Sequence, residues 1–328
     1  MRRMRAREYV MKKQIRIMLQ AAVLVSLALG ISDVRTGPAW AGTVTIDDDT
    51  VPFYAKPAGS HVRTPEASGT VTYGNKTVTV DASNTSQGYV MIRYNGSVGK
   101  IKVQISKDGT TYTYDLNARD AYEVFPFSEG DGTYSVKVFE HVSGNQYAQA
   151  FSQNLTVTMP DPFAPFLTPN QYVNFTADST AVATGAEVAA SASAGDGIGV
   201  VTSIYDYVIK NISYDTQKAA TVKSGYLPDV DQVLAARKGI CFDYAALMTT
   251  MLRSQDIPAK LVIGYTGSLY HAWINVYIDS VGWIDNFIYF DGQNWSLMDP
   301  TFASSGGNDA SIRQYIGNGA NYQAKYCY

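Results

Sequence analysis

One cysteine, one histidine and one aspartate have the types and positions expected of a thiol nucleophile, its base and the group that orients the base. Cys241 follows GI in GICFDYAALMTTMLR, His271 opens HAWINVYI, and Asp299 lies near the end of WSLMDPT. At a helix N-terminus, unpaired backbone N–H groups and the positive end of the helix dipole favour thiolate over thiol. An adjacent imidazole would stabilise that thiolate and later donate a proton to a departing amine. This order predicts nucleophilic acyl chemistry.

Alternation along the flanking segments narrows the choice of base and orienter. In HAWINVYI, His271 falls on one face of a predicted strand and four aliphatic residues fall on the other, so the imidazole is directed away from the purely aliphatic face. Asp299 sits at a strand end that Pro300 terminates. Asp285 and Asp291 are rival orienters, but neither has this strand-end context.

These residues require helices and strands that bring them together. Apolar residues at steps of three or four and a capping-box spacing from Asp229 to Gln232 predict helices, and Pro258 ends the last of them. The predicted helices cover residues 179–194, 198–212, 230–236 and 241–253. The predicted strands are 259–265, 271–278 and 295–299. An antiparallel sheet of these strands, packed on the cysteine helix, would bring the three side chains together, which is an α+β arrangement.

Five segments follow one another in a fixed order: GICFDYA (239–245), MLRSQDIPA (251–259), VIGY (262–265), HAW (271–273) and WSLMDPT (295–301). With these segments, residues 204–302 resemble the transglutaminase-like fold, a relative of the papain-like cysteine hydrolases. The resemblance implies Cys241 as nucleophile, His271 as base and Asp299 as orienter in an acyl transfer through a thioester. Nothing in the sequence requires a metal or organic cofactor, and no calcium loop of recognisable spacing occurs.

The sequence departs from the family pattern in three places. Asp256 stands where a helix-ending glycine is usual, which a short polar residue can tolerate in the left-handed region. The long segment between HAW and DPT predicts an inserted hairpin beside the site. Animal members of the family use an upstream tryptophan as a side-chain oxyanion donor, yet no tryptophan lies between residues 42 and 241. Tyr226 and Gln232 are candidate donors, alongside the backbone N–H of Cys241.

The region before this domain is predicted to be all-β. Alternating apolar residues and Gly- or Asn-rich turns over residues 42–159 indicate a β-sandwich. The segment DGTYSVKVFE (131–140) resembles a late strand of immunoglobulin-like modules, in which a tyrosine bonds back across a corner. Four prolines then predict a connector at 160–170, followed by the transglutaminase-like domain at 171–328.

Residues 1–41 are predicted to be a signal peptide. Seven basic residues precede an apolar run, and Ala39-Trp40-Ala41 has the small-x-small pattern of a cleavage site; an uncleaved anchor is the alternative. Cleavage after residue 41 would remove eight basic and two acidic residues. The mature chain would then have 18 basic and 27 acidic residues, a formal charge of about −9. We therefore expect a secreted or cell-surface protein that acts on a peptide or protein, can associate with the cell surface or wall, and binds neither nucleic acid nor, once cleaved, membrane.

Less specific interpretations stay open. A lone cysteine is often a small buried apolar residue, and the domain could be a non-catalytic binding or surface-structural module. The sandwich could also dominate function by binding wall glycans or proteins. His61 and His141 have no companion ligands and are predicted to be surface residues, and Asp47–Asp49 is predicted to be a solvated edge. Cys327 is predicted to be an exposed or partner-paired thiol, with a reversible disulfide to Cys241 as the alternative.

Overall fold

A computed structural model describes residues 61–193, 196–279, 282–285, 299–301, 304 and 322–328, and the backbone of 288–290 and 295–297. The described chain divides into two compact units, residues 63–171 with Tyr328, and residues 61–62 with 172–327. Within the described residues, no helix has the length and apolarity needed to cross a bilayer. The predicted signal peptide, the run Asp47–Asp49 and Asp291 lie outside the described residues.

The first unit contains two four-stranded antiparallel sheets, with orders β1-β2-β3-β6 and β5-β4-β7-β8. Short 3-10 helices occur at Thr85–Gln87 and Ala164–Phe166, the second within the predicted connector. The strands are β1 (Thr72–Gly74), β2 (Val78–Asp81), β3 (Tyr89–Tyr94), β4 (Ile101–Lys107), β5 (Thr110–Asp115), β6 (Tyr122–Pro126), β7 (Gly132–Ser143) and β8 (Gln146–Val157).

Sequence alternation accounts for these strands. In β4 the apolar residues are buried and the intervening polar residues are partly exposed. Asp108 and Gly109 both have positive φ and connect β4 to β5 in the two-residue turn that suits twisted hairpins. The Tyr134 hydroxyl donates to the carbonyl oxygen of Gly130 at 2.7 Å, which is the predicted corner contact. Kinship with immunoglobulin-like modules stays a prediction.

The second unit contains five helices and eight strands among its described residues. Its main sheet is antiparallel, in the order β13-β12-β11-β16; β9 and β10 form a parallel pair, and β14 and β15 an antiparallel one. The helices are α1 (Thr180–Ala189), α2 (Gly197–Asn211), α3 (Thr216–Thr221), α4 (Val230–Ala236) and α5 (Cys241–Arg253). The strands are β9 (Ser213–Tyr214), β10 (Lys238–Gly239), β11 (Ala259–Thr266), β12 (Leu269–Ile278), β13 (Gly282–Ile284), β14 (Ile288–Phe290), β15 (Trp295–Leu297) and β16 (Tyr322–Cys327).

The helices agree closely with their sequence signals. The Asp229 carboxylate accepts the backbone N–H of Gln232 at 3.0 Å and caps α4, as its spacing predicts. Every residue of α5 is buried, so this helix is the core element of the unit rather than an amphipathic surface helix. Asp256 has φ +55°, in the left-handed region predicted for the turn after α5.

One predicted feature of the sheet is wrong. The strand predicted at 295–299 does not join β11 and β12; its observed part, β15, pairs with β14 in a separate two-stranded ladder. The edge of β11 is occupied instead by β16, from the end of the chain. Of the strands after β12, β13 pairs with β12 in the main sheet, whereas β14 and β15 pair with each other. Asp299 therefore follows the predicted inserted hairpin rather than ending a strand of the main sheet.

Candidate active site

Backbone pairing fixes the position of Cys241. Strand β10 pairs in parallel with β9, and the Asp215 N–H donates to the Gly239 carbonyl oxygen at 2.8 Å. Gly239 is required because a Cβ there would lie 2.6 Å from the Cβ of Asp243. The chain then turns through Ile240 into α5, so Cys241 is its first residue. The thiol is free and its residue is only 9% exposed, so Cys241 is largely shielded from solvent.

His271 and Asp299 form a buried pair beside this helix start. Nε2 of His271 lies 2.6 Å from Oδ2 of Asp299, and the two side chains are 3% and 1% exposed. The backbone N–H of Thr301 donates to the other carboxylate oxygen at 2.9 Å. The Cys241 side chain also interacts with this imidazole. The structure therefore brings together all three predicted site residues.

The environment of His271 favours a charged imidazole. Burial lowers its pKa, but the Asp299 carboxylate opposes this through its charge and hydrogen bond, and Cys241 adds to that opposition. The net effect raises the pKa of His271 to about 10. An imidazolium at neutral pH is the partner that a thiolate requires.

A second polar cluster lies at the first turn of α5. The Asp243 side chain is fully buried and accepts the Ile240 N–H at 2.8 Å, which caps the helix. Lys218 Nζ lies 2.7 Å from the same carboxylate, and the Tyr226 hydroxyl donates to its other oxygen at 2.5 Å. Lys218 also lies 2.5 Å from the Tyr226 oxygen. The cluster ties the segment that carries Lys218 and Tyr226 to the helix that carries the candidate nucleophile.

The other candidates have different partners. Tyr226 donates to Asp243, and the Gln232 amide donates to Asp229 at 2.8 Å, so neither side chain is directed at Cys241. The rival orienter Asp285 accepts from the Asn275 amide at 2.7 Å rather than contacting His271.

The second cysteine belongs to the sheet. Cys327 pairs with Val262 across β16 and β11, and neither Cys327 nor Cys241 forms a disulfide. The structure therefore does not show the alternative disulfide between them.

Two tyrosines at the site were missed by sequence reasoning. The Tyr322 hydroxyl on β16 lies 3.3 Å from Oδ2 of Asp299, and its ring packs near His271 and Trp273. Tyr214 on β9 interacts with Cys241, and burial followed by that proximity raises its pKa above the usual range. Only the strand pairings reveal these neighbours, because both residues are remote in sequence from the three predicted ones.

Within the described part of the chain, no group of three or more His, Cys, Asp or Glu residues is arranged to hold a metal ion. The side chains around Cys241 with which it interacts are an imidazole and phenols. These groups suit proton transfer and hydrogen bonding.

Residues 186–300 match the transglutaminase-like superfamily model, a range that includes Cys241, His271 and Asp299. This match supports the predicted superfamily and, with it, a cysteine-dependent catalytic family. YebA, an uncharacterized protein of Bacillus subtilis (strain 168), is 33% identical over 104 residues, covering 26% of this chain and 14% of its own length. The chain thus spans about one seventh of that relative.

Two solved structures show weaker similarity. A candidate cysteine protease from Cytophaga hutchinsonii is 17% identical, with a TM-score of 0.33, over 65% of this chain and 78% of its own. A candidate protease from Parabacteroides distasonis ATCC 8503 is 14% identical, with a TM-score of 0.29, over 64% of this chain and 63% of its own. Neither TM-score establishes a shared fold over the aligned length.

The Asp243 cluster should stabilise the second unit. We expect Lys218→Met to lower its free energy of unfolding by about 2 kcal/mol, because a buried carboxylate loses its cation. Urea denaturation followed by tryptophan fluorescence reports this unit selectively, since every tryptophan after residue 42 lies beyond residue 241. Lys210→Met, which breaks an exposed helical pair with Asp206, is the matched control and should cost about 0.5 kcal/mol or less. Equal losses of unfolding free energy in Lys218→Met and Lys210→Met would contradict a stabilising role for the Asp243 cluster.

The His271–Asp299 pair should make stability fall in alkali. Because the folded pKa of His271 is raised from 6.5 to about 10, its stabilisation is complete below pH 6.5 and disappears as pH rises through 10. Urea midpoints from pH 6 to 10.5 should therefore decline by an amount on the order of a few kcal/mol. Asp299→Asn should flatten this decline, whereas Asp285→Asn should leave it in place. An unchanged decline in Asp299→Asn would refute the role of the pair.

Proposed function

We propose that this protein is a cysteine-dependent acyl transferase or hydrolase that acts on peptide or protein amides through a thioester on Cys241. The observation that supports this most directly is the placement of His271 between the Asp299 carboxylate and the thiol at the start of α5. The superfamily match over residues 186–300 agrees with it. The raised pKa of His271 favours the imidazolium that the proposed reaction starts from.

In the proposed reaction the Cys241 thiolate attacks the carbonyl carbon of an amide, and the C=O electrons move onto oxygen. The backbone N–H of Cys241, at the positive end of α5, donates to that oxyanion. His271 then gives its proton to the departing nitrogen as the C–N bond breaks, which leaves a thioester and a neutral imidazole. Water or a primary amine attacks the thioester, His271 removes its proton, and the thiolate is regenerated.

The Tyr214 hydroxyl is the side-chain donor that we assign to the oxyanion. It lies on β9, whose pairing with β10 places it beside the segment that leads into Cys241. Its phenol interacts with Cys241 but makes no hydrogen bond within the described part of the chain, unlike Tyr226. Burial raises its pKa, so the phenol stays protonated and able to donate. Tyr214 would thus replace the tryptophan that is absent between residues 42 and 241.

The protein's setting follows from the same proposal. Cleavage after residue 41 would export a chain of formal charge about −9 whose substrate is an extracellular peptide or protein. The β-rich unit, interpreted as an immunoglobulin-like sandwich, would present the catalytic unit at the cell surface or wall.

A non-catalytic binding module is the second candidate. The absence of a tryptophan between residues 42 and 241 favours it, because a site without a side-chain oxyanion donor turns over slowly. Such a module would still bind a peptide in the cleft of Cys241. Turnover experiments separate the two functions.

Mass spectrometry of glutamine-containing peptides tests the acyl chemistry. Incubation with the mature chain and a primary amine should give an amine adduct if the protein is a transglutaminase, or a hydrolysed product if it is an amidase or protease. Cys241→Ala should form neither product, because the thioester cannot form. Cys327→Ala should form the same product as the wild type. Absence of any Cys241-dependent product across broad peptide libraries would favour the binding module.

Tyr214→Phe tests the assigned oxyanion donor. Loss of one donor from such a site lowers kcat by about 10²–10³-fold. We therefore expect a large fall in kcat with an unchanged rate of Cys241 alkylation by iodoacetamide, since alkylation forms no oxyanion. Tyr226→Phe is the control and should lose little kcat per unit of folded protein. A Tyr214→Phe enzyme with the wild-type kcat would refute the assignment.

A further inference from the structure

The Asp299 carboxylate has a donor that the acyl-transfer scheme does not use. Its Oδ2 atom lies 2.6 Å from Nε2 of His271 and 3.3 Å from the hydroxyl of Tyr322. Its Oδ1 atom accepts the Thr301 N–H. A carboxylate held by three donors has one orientation, and the Oδ2 atom that serves the base is the one that Tyr322 shares.

Tyr322 comes from a segment beyond the superfamily match. Residues 186–300 cover the three proposed catalytic residues, whereas Tyr322 lies on β16 near the chain end. β16 pairs with β11, with Tyr322 opposite Thr266, and the register shifts at Gly264. A Cβ at Gly264 would collide with the carbonyl oxygen of Gln323 and the ring of Trp273, so glycine permits this close approach. The pairing with β11 therefore fixes the position of β16, the strand that carries Tyr322, within the main sheet.

The Tyr322 ring covers the buried pair. Its centroid lies 6.4 Å from that of the His271 imidazole and 5.2 Å from that of Trp273, edge-on to the indole. Tyr322 is 9% exposed, and Trp273 is 2% exposed. Excluding water strengthens the attraction between imidazolium and carboxylate, because little solvent remains to screen their charges.

We propose that Tyr322 is a positioning residue, whose hydroxyl orients the Asp299 carboxylate and whose ring keeps water from the His271–Asp299 pair. The C-terminal strand thereby completes the site. The catalytic consequence rests on the proposed function, but the effect of Tyr322 on the imidazole does not. Among the described residues, the titratable groups that face His271 include Cys241 from α5, Asp299, and Tyr322 from β16.

The hydroxyl and the ring have opposite effects on the imidazole. Tyr322→Phe keeps the ring but removes a donor that partly neutralises the carboxylate, so Asp299 attracts the imidazolium more strongly. Tyr322→Leu removes the ring as well and admits water, which weakens that attraction. The proton affinity of His271 should therefore rise in the first variant and fall in the second.

Nitrogen-15 NMR of histidine-labelled protein measures this directly, since the chain has only three histidines. We expect the titration midpoint of His271 to move up by about half a pH unit in Tyr322→Phe and down by about one unit in Tyr322→Leu. Tyr326→Phe, which removes a hydroxyl from the same strand, is the matched control and should leave the midpoint unchanged. Midpoints in Tyr322→Phe equal to those of the control, or shifts of both Tyr322 variants in the same direction, would overturn the proposal.

Turnover separates this inference from the proposed function. With a substrate found by mass spectrometry, Tyr322→Phe should lower kcat/KM about 5-fold and Tyr322→Leu about 100-fold. Shifted His271 midpoints without Cys241-dependent turnover would uphold the positioning role and refute the acyl-transfer function. Cys241-dependent turnover with unshifted His271 midpoints would uphold the acyl-transfer function and refute the positioning role of Tyr322.

Discussion

The buried contact between the His271 imidazole and the Asp299 carboxylate is the interaction on which the rest of the second unit depends. Removing two charges from water costs several kcal/mol per ion unless geometry and further hydrogen bonds offset it. Here the nitrogen–oxygen distance is 2.6 Å, and Thr301 and Tyr322 donate further hydrogen bonds to the carboxylate. Thr301 lies two residues after Asp299, whereas Tyr322 comes from β16, so the C-terminal strand contributes to the surroundings of the pair.

The first turn of α5 has a carboxylate close to the candidate nucleophile, and the charge of that carboxylate must be balanced. Asp243 caps the helix through the Ile240 N–H, but it also brings a carboxylate within two residues of Cys241. Alone, this charge would oppose a thiolate and offset the effect of the helix dipole. Lys218, 2.7 Å from the carboxylate, balances it, and Tyr226 supplies a further donor. The cap is thus obtained without a net negative charge at the nucleophile.

Local patterns predicted most of the elements and the three central residues, whereas long-range pairings did not follow from them. The helix that begins at Cys241, the strand that carries His271 and the cap at Asp229 each have a signal within a few residues. The strand predicted at 295–299 was placed in the wrong ladder, because alternation marks a strand without naming its partner. Tyr322 and Lys218 were missed for the same reason, since their roles depend on contacts 23 and 25 residues away.

Tyrosine fills two different positions around the thiol in the proposed mechanism. Tyr322 donates to the carboxylate behind the base, whereas Tyr214 has no hydrogen-bond partner in the described chain and lies near Cys241. Burial raises the pKa of Tyr214 above its ordinary value of 10, and the carboxylate raises that of His271 to about 10. Below that pH the imidazole is charged while the phenol is neutral. Attack on an amide needs both states together, because the leaving nitrogen takes a proton from one and the oxyanion takes a hydrogen bond from the other.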